Sequence, residues 1–321
     1  MKDTDYAFCV ARIRANEKHL FTQSDIVKLA ESESYDAAVK VLMSKGWIEN
    51  EGNISDYISF QNEKLWNLIS ESVPEKKELD ILCVINDFFN IKVAVKCLLT
   101  GNEFEKYYIY PTTIDLKILT ENIKNHHFDK ISGVKGDAAL KAYEVANKTE
   151  NGQNAEIIID KAAINCICEY SEKNKKKLTG DICKFLCDTS NIKIALRCAV
   201  TKKNRDFVEN AIGSCCRIDR DKLISQTLKG KDELSDFLLK SEYKAGVELY
   251  LKKPSAYDKW CDDEVISIAK KAKFTSFGFD PVCAYYYAKI NEIKSVNIIL
   301  SGLLYSAEKT TIKERLRALY V

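Results

Sequence analysis

Cysteine is the residue type in this chain best able to do chemistry, because a thiolate can act as a nucleophile or hold a metal ion. The chain has 12 cysteines in 321 residues. A zinc site usually takes its ligands from two pairs of cysteine or histidine. Neither the pair Cys166 and Cys168 nor the adjacent Cys215 and Cys216 has a partner pair at such a spacing. The spacing therefore predicts no metal site.

Other cysteines follow helical spacing instead. Cys183 and Cys187 stand four residues apart, and Cys97 and Cys198 each stand seven residues after an asparagine in two similar segments. A free cysteine in a protein core behaves as a small apolar residue. We therefore expect Cys97 and Cys198 to be buried and reduced. The charged start of the chain, Met1–Asp5, has no apolar stretch of a signal peptide after it, which favours a reducing compartment.

Nucleotide and acid–base motifs are incomplete. Gly230–Asp232 reads Gly-Lys-Asp, without the hydroxyl residue and the upstream glycine that a phosphate loop needs. An acidic pair like Asp262–Asp263 occurs in the metal–diphosphate sites of helical terpenoid synthases, but Ile266 stands where such a site would have a further acid. We therefore expect the pair to lie near a helix N-terminus, where the helix dipole favours carboxylates. His126–His127 has no triad partner nearby. We predict no catalytic, cofactor-binding or metal-binding residue, and no cofactor.

The charge balance argues against nucleic acid as a partner. The chain has 49 basic and 47 acidic residues, a net charge of +2. Two basic runs, Lys173–Lys177 and Lys202–Arg205, suit either a solvated face or contact with an acidic partner or lipid headgroups. The best uncharged apolar run, Ser295–Ala307, is short of the ~18 residues of a membrane span. We expect no transmembrane segment.

The elements that carry these residues repeat along the chain. Asn90–Gly101 reads NIKVAVKCLLTG and Asn191–Lys202 reads NIKIALRCAVTK, with six of twelve positions identical, and Asn291–Gly302, NEIKSVNIILSG, is a weaker third copy. The chain has only 4 prolines and 12 glycines, which are the residues that form the tight turns of a β fold. We therefore predict an all-α protein. The predicted division is residues 1–104, 105–208 and 209–305 as three helical repeats, and 306–321 as a C-terminal docking helix.

Each copy has an apolar stripe at helical spacing, which we expect to be its buried face. In the first copy the stripe contains Ile81, Ile85, Val95 and Leu99, and in the second it ends at Val200. The repeat asparagines, which lie opposite the stripe, are Asn90, Asn191 and Asn291. We interpret them as hydrogen-bonding groups between helices, with ligand binding as the alternative.

Helix boundaries are predicted from capping residues. Asp25, Asp115 and Asp219 each precede a leucine by four residues and suit the start of a helix. Gly101 and Gly302 are expected to end the helices of their copies. A capping box is predicted at 311–314.

Both ends of the chain resemble one known family. The segments Tyr6–Glu17 and Leu20–Thr22 are similar to the opening of the C subunit of the V-type (archaeal and bacterial V/A-type) ATPases, a relative of the eukaryotic d subunit. Asn291–Lys294, Ile298–Gly302 and Ile312–Val321 resemble the C-terminal signature of that family. The internal Asn-Ile-Lys at residue 90 resembles its internal motif.

The resemblance implies a fold of three helical bundles related by a pseudo-threefold axis and forming a single funnel-shaped body. It also implies a non-catalytic rotor subunit of the central stalk, a socket that couples the shaft of the catalytic head to the membrane rotor ring for proton or sodium transport. The implied partners are the ring subunits and the D- and F-type shaft subunits. The implied location is peripheral, on the cytoplasmic face of the membrane.

Two other classes of protein are compatible with an all-helical repeat. A helical-repeat scaffold or adaptor unrelated to ATPases usually has repeats of about 34 to 47 residues, well below the ~100 residues found here. An all-helical enzyme would need an acid, a base or a metal site built from convergent residues, and none is visible in the sequence.

Overall fold

The computed structural model describes residues 2–149 and 152–321, and the regular elements among them are all helical. The all-α prediction is therefore confirmed. In chain order the α-helices of the described residues are α1 (Ala7–Glu17), α2 (Gln23–Ala30), α3 (Tyr35–Ser44), α4 (Ile54–Ser72), α5 (Leu79–Thr100), α6 (Leu116–Lys124), α7 (Val134–Thr149), α8 (Gly152–Lys173), α9 (Leu178–Val200), α10 (Arg205–Ala211), α11 (Arg220–Lys229), α12 (Lys231–Leu238), α13 (Lys244–Lys252), α14 (Pro254–Ala269), α15 (Asp280–Leu304) and α16 (Lys309–Arg315).

The helices form two compact units. The first contains the chain up to Glu78 together with Lys177–Ile182 and Glu248–Val321. The second contains Leu79–Lys176 and Cys183–Val247. In both units the helices bury apolar side chains against one another.

The core of the first unit joins the start of the chain to its end. Ile26 and Leu29 from α2 and Leu42 from α3 are buried in one cluster with Ile299 and Leu300 from α15. Residues after α16 complete the same cluster. The C-terminus is therefore part of the hydrophobic core of this unit.

One of the helix boundaries predicted from glycines and the capping box is confirmed, and two are wrong. Gly101 follows the last residue of α5 and has a φ of +69°, a left-handed conformation that glycine adopts without steric cost. The prediction for Gly302 is wrong, because α15 continues to Leu304. Gly302 instead lies where α15 and α16 approach closely, since a Cβ placed there would lie 2.6 Å from Cγ1 of Ile312 in α16. The predicted capping box is also wrong, because α16 begins earlier, at Lys309.

The three aspartates predicted at helix starts do lie there. Asp115 and Asp219 are the N-cap residues of α6 and α11, and their carboxylates accept backbone hydrogen bonds from the first turn. Asp25 lies in the first turn of α2 and forms a capping box with Thr22. Local capping chemistry was thus sufficient to locate all three helix starts.

The predicted buried stripe is correct for only some of its positions. Ile81 and Val95 are buried, whereas Ile85, Leu99 and Val200 are 51%, 38% and 54% exposed. Apolar residues occur all around α5, so their pattern does not specify which side faces the core. The buried side of α5 includes polar residues, which are described below.

Cys97 and Cys198 are both free and only 5% exposed, which confirms their predicted burial. Burial raises the pKa of both thiols. Within the described ranges, no helix is long and apolar enough to cross a membrane.

Candidate functional site

A buried carboxylate on α5 fixes the segment that leads into α6. Asp87 has no exposed surface and accepts hydrogen bonds from the Thr112 hydroxyl at 2.5 Å and from the Thr113 backbone N–H at 2.9 Å. Lys135 from α7 forms an ion pair with the same carboxylate at 2.6 Å. One helix turn later, the amide of Asn90 donates to the Ile109 carbonyl and accepts from the Ile109 N–H. The two side chains thus bind three residues of this segment, namely residues 109, 112 and 113.

The second copy repeats this arrangement on α9. Asp188 is also fully buried and accepts from the backbone N–H groups of Cys216 at 2.7 Å and Arg217 at 2.8 Å. Asn191 donates to the Ser214 carbonyl at 2.7 Å and accepts from the Gly213 N–H at 2.8 Å. Burial raises the pKa of Asp188, while the hydrogen bonds from the backbone oppose that rise. A buried aspartate and an asparagine therefore hold the segment before α11, just as they hold the segment before α6.

The sequence analysis does not identify Asp87 and Asp188 as anchoring residues, although their spacing from the repeat asparagines could have done so. Asp87 precedes Asn90 by three residues, and Asp188 precedes Asn191 by the same number. Residues three apart on a helix lie on the same face, so an Asp-x-x-Asn pattern predicts a paired polar anchor. The third copy has Ala288 at the corresponding position.

In the third copy, Asn291 contacts the C-terminal segment. Its amide donates to the carbonyl of Asp262 at 3.1 Å and to that of Ala318 at 3.4 Å. The side chain of Asp262 pairs with Arg317 at 2.9 Å, and Asp263 accepts from the Ala318 N–H at 2.6 Å. The acidic pair lies in the middle of α14, so its predicted place near a helix N-terminus is wrong. Its carboxylates anchor the last residues of the chain.

Glu292, next to Asn291 on α15, is the most enclosed carboxylate among those of the first unit whose burial is described. It is 1% exposed and accepts from the Phe21 N–H at 2.7 Å and from Nε1 of Trp47 at 2.8 Å. Lys289 pairs with it at 2.5 Å. α15 thus holds the segment that precedes α2. In the same way, α5 holds the segment before α6, and α9 holds the segment before α11.

A cleft of about 840 Å³ opens beside this ion pair in the first unit. Lys289 and Trp47 line it together with residues of α1 and α4. Its rim carries both signs of charge, including Arg12 paired with Glu71 at 3.6 Å. The lining of this cleft therefore combines charged side chains with apolar ones such as Trp47 and Leu65.

The structure also brings together cysteines that the spacing did not connect. The Sγ atoms of Cys168, Cys187 and Cys216 all lie within 4.8 Å of one another. They belong to α8, to α9 and to the segment between α10 and α11. Cys166, in contrast, is not part of this group.

Comparison with known proteins gives one family. The sequence model of the ATP synthase (C/AC39) subunit matches residues 9–315. The V-type sodium ATPase C subunit of Enterococcus hirae is 23% identical over 318 residues, which are 96% of this chain and 97% of the relative. The A-type ATP synthase C subunit of Methanocaldococcus jannaschii is 22% identical, with 98% of this chain and 86% of the relative covered.

Proposed function

Since the chain belongs to the ATP synthase (C/AC39) subunit family, we propose that it is the non-catalytic socket of a V/A-type rotary ATPase. In this role it couples the central shaft of the catalytic head to the membrane rotor ring, so that ATP turnover and proton or sodium transport are linked. The observation that carries the proposal is the full-length similarity to two ATPase C subunits. The resemblance at both ends of the chain and in the repeats supports it.

Its partners are the rotor ring subunits and the D- and F-type shaft subunits, and it lies on the cytoplasmic face of the membrane. The mixed-charge cleft of the first unit suits the polar rim of such an interface. The absence of a complete phosphate-loop motif from the sequence agrees with a subunit that transmits torque and leaves ATP to the catalytic head.

A torque-transmitting adaptor has to be stiff, and the anchored segments supply stiffness. Buried carboxylates that accept several hydrogen bonds restrict their segments to one conformation. Asp87 and Asp188 do this within the second unit, and Glu292 does it within the first. Fixed segments between packed helices leave little freedom for the units to deform internally.

The same contacts support three bundles related by a pseudo-threefold axis, with repeats at 1–104, 105–208 and 209–305. Each long repeat helix holds a segment that leads into a short helix. α5 holds the segment before α6, α9 holds the segment before α11, and α15 holds the segment before α2. The last of these contacts joins the third repeat to the first. A repeat that returns to its beginning in this way is what a closed threefold body requires.

The experiment that tests this function is reconstitution with and without the chain. Vesicles containing the membrane sector, shaft and catalytic head are assembled without this subunit, and ATP hydrolysis and ion uptake are both measured. We expect hydrolysis by the head to persist and ion uptake to fall to the level of vesicles without ATP. Adding the purified chain should restore uptake.

Two controls complete the test. The purified chain alone should hydrolyse no ATP, and it should co-purify with both the ring and a shaft subunit. Normal ion uptake without the chain, or ATP turnover by the isolated chain, would contradict the proposed function.

A further inference from the structure

The cluster formed by Cys168, Cys187 and Cys216 has the geometry of a thiolate metal site. The three Sγ atoms lie within 4.8 Å of one another, and those of Cys168 and Cys216 are 3.5 Å apart. Sulfur ligands stand ~2.3 Å from a zinc ion, which places three of them about 4 Å from each other. Only small side-chain adjustments are therefore needed for one ion to bind all three.

The cluster is made from separate parts of the second unit. Cys168 and Cys187 are buried on α8 and α9, whereas Cys216 is half-buried on the segment before α11. Within the described part of the chain, no other group of three or more cysteine, histidine or acidic residues has its ligand atoms this close together.

The backbone around the cluster is already fixed. Asp188 accepts from the N–H of Cys216, and Asn191 donates to the Ser214 carbonyl two residues before it. The thiol of Cys187 donates to the same carbonyl at 3.0 Å. Groups that hold ligands in position account for much of the affinity of a metal site. Here they hold the one ligand that is not on a helix.

We propose that Cys168, Cys187 and Cys216 bind one soft metal ion of the Zn(II) or Cu(I) class. Thiolates favour such ions over Mg²⁺ and Ca²⁺, which prefer oxygen ligands. Three sulfur ligands suit Cu(I) directly, and they suit Zn(II) with a water as the fourth ligand.

The three ligands lie on separate segments of the second unit, so a bound ion would have a structural effect there. The ion would tie α8 and α9 to the segment before α11.

The test uses the full chain, purified under anaerobic reducing conditions and stripped with a chelator. Zn(II) and Cu(I) are titrated separately against a chromophoric competitor, and bound metal is counted by elemental analysis. We expect one ion per chain in at least one of the two arms. Bound metal should also protect three thiols from alkylation, identified by mass spectrometry as residues 168, 187 and 216.

Matched variants on one helix separate ligation from core packing. Cys187→Ala removes a proposed ligand, and Cys198→Ala removes another buried free cysteine of α9 that lies outside the cluster. Affinity should fall on the order of 100-fold or more for Cys187→Ala and stay unchanged for Cys198→Ala, since even supporting groups change affinity by about 10- to 100-fold. Cys216→Ala provides a second variant at a less buried position.

Three results would overturn the proposal. One is that neither ion binds at a stoichiometry near one. Another is equal affinity in the wild-type chain and in the Cys187 and Cys216 variants. The third is that the reduced chain binds no metal while air converts residues 168 and 216 to a disulfide, seen as the loss of two hydrogens in the intact mass. These outcomes are independent of the vesicle experiment, which tests the socket function.

Discussion

At the residue scale, the buried carboxylates are the groups on which the helical packing depends. Asp87 is fully buried and satisfied by two threonines and by Lys135, whose side chain is 22% exposed. Removing one partner of a buried ion pair leaves the other charge uncompensated in a poorly solvated place. Exposed pairs lack this penalty because water replaces the lost partner.

We therefore expect Asp87→Asn to lower the free energy of unfolding by about 3 kcal/mol, the lower end of the range for breaking a buried pair. Urea denaturation followed by circular dichroism measures this change. The matched control is Asp160→Asn, which breaks the 2.6 Å pair between Lys92 and a carboxylate that is 46% exposed. That variant should lose less than about 1 kcal/mol. Equal losses in the two variants would show that burial of Asp87 does not matter for stability.

At the element scale, the contact between α15 and α16 depends on a missing side chain. Gly302 lies inside α15, and a Cβ at that position would lie 2.6 and 2.7 Å from two side-chain carbons of Ile312. Ile312 is only 2% exposed and belongs to the core of the first unit, so it has little room to move. Glycine is needed here for close approach, although it costs helix stability.

Gly302→Ala should consequently destabilise the chain, because overpacking costs about 1–3 kcal/mol and the better helix propensity of alanine returns at most about 1 kcal/mol. The melting temperature checks the sign. Gly152→Ala is the control, since a Cβ there meets nothing within 4 Å and that variant should be neutral or more stable. A Gly302→Ala variant that melts above the wild type would contradict the close contact.

The start of α2 should respond to acid. Hydrogen bonds from Lys45 and Thr22 lower the pKa of Asp25 to about 2, below the value of about 3.9 for an unfolded aspartate. A lowered folded-state pKa means that the stabilisation is present above about pH 4 and is lost as the pH falls toward about 2. Because the pair is partly exposed, the stabilisation is modest.

Asp25→Asn should therefore lower the melting temperature at pH 7 and have a smaller effect near pH 2, where the wild-type carboxylate is itself being protonated. Thermal melts at the two pH values measure the difference. Lys45→Met removes the charged partner and should reproduce the trend. An identical drop at both pH values would show that the charge of Asp25 is unimportant.

At the scale of the whole molecule, the proposed threefold arrangement makes a geometric prediction. Residues 80–101, 181–202 and 281–302 with their surrounding helices should superpose as three similar bundles, related by rotations of about 120°. A cryo-electron-microscopy structure of the assembled ATPase measures these rotations. Bundles in unrelated surroundings, or rotations far from a third of a turn, would contradict the threefold body while leaving the family membership intact.

The sequence alone was sufficient for features that depend on neighbouring residues. Helical periodicity, scarce proline and glycine, and three aspartates at helix starts predicted the all-α class and several boundaries, because helix formation and capping are local. The repeats and the two chain ends were sufficient to identify the family. The boundaries that failed, at Gly302 and at the start of α16, depend on how those two segments pack against each other.

Only the tertiary structure decided which side of each helix is buried and which distant residues meet. Apolar residues occur on every side of α5, so their pattern could not show that Asp87 and Asn90 face inward while Ile85 and Leu99 remain exposed. Cys168, Cys187 and Cys216 come from three separate segments, and no spacing rule relates them. Spacing along the chain reports proximity only within one element, whereas a cluster across elements exists once helices have packed at particular positions and angles.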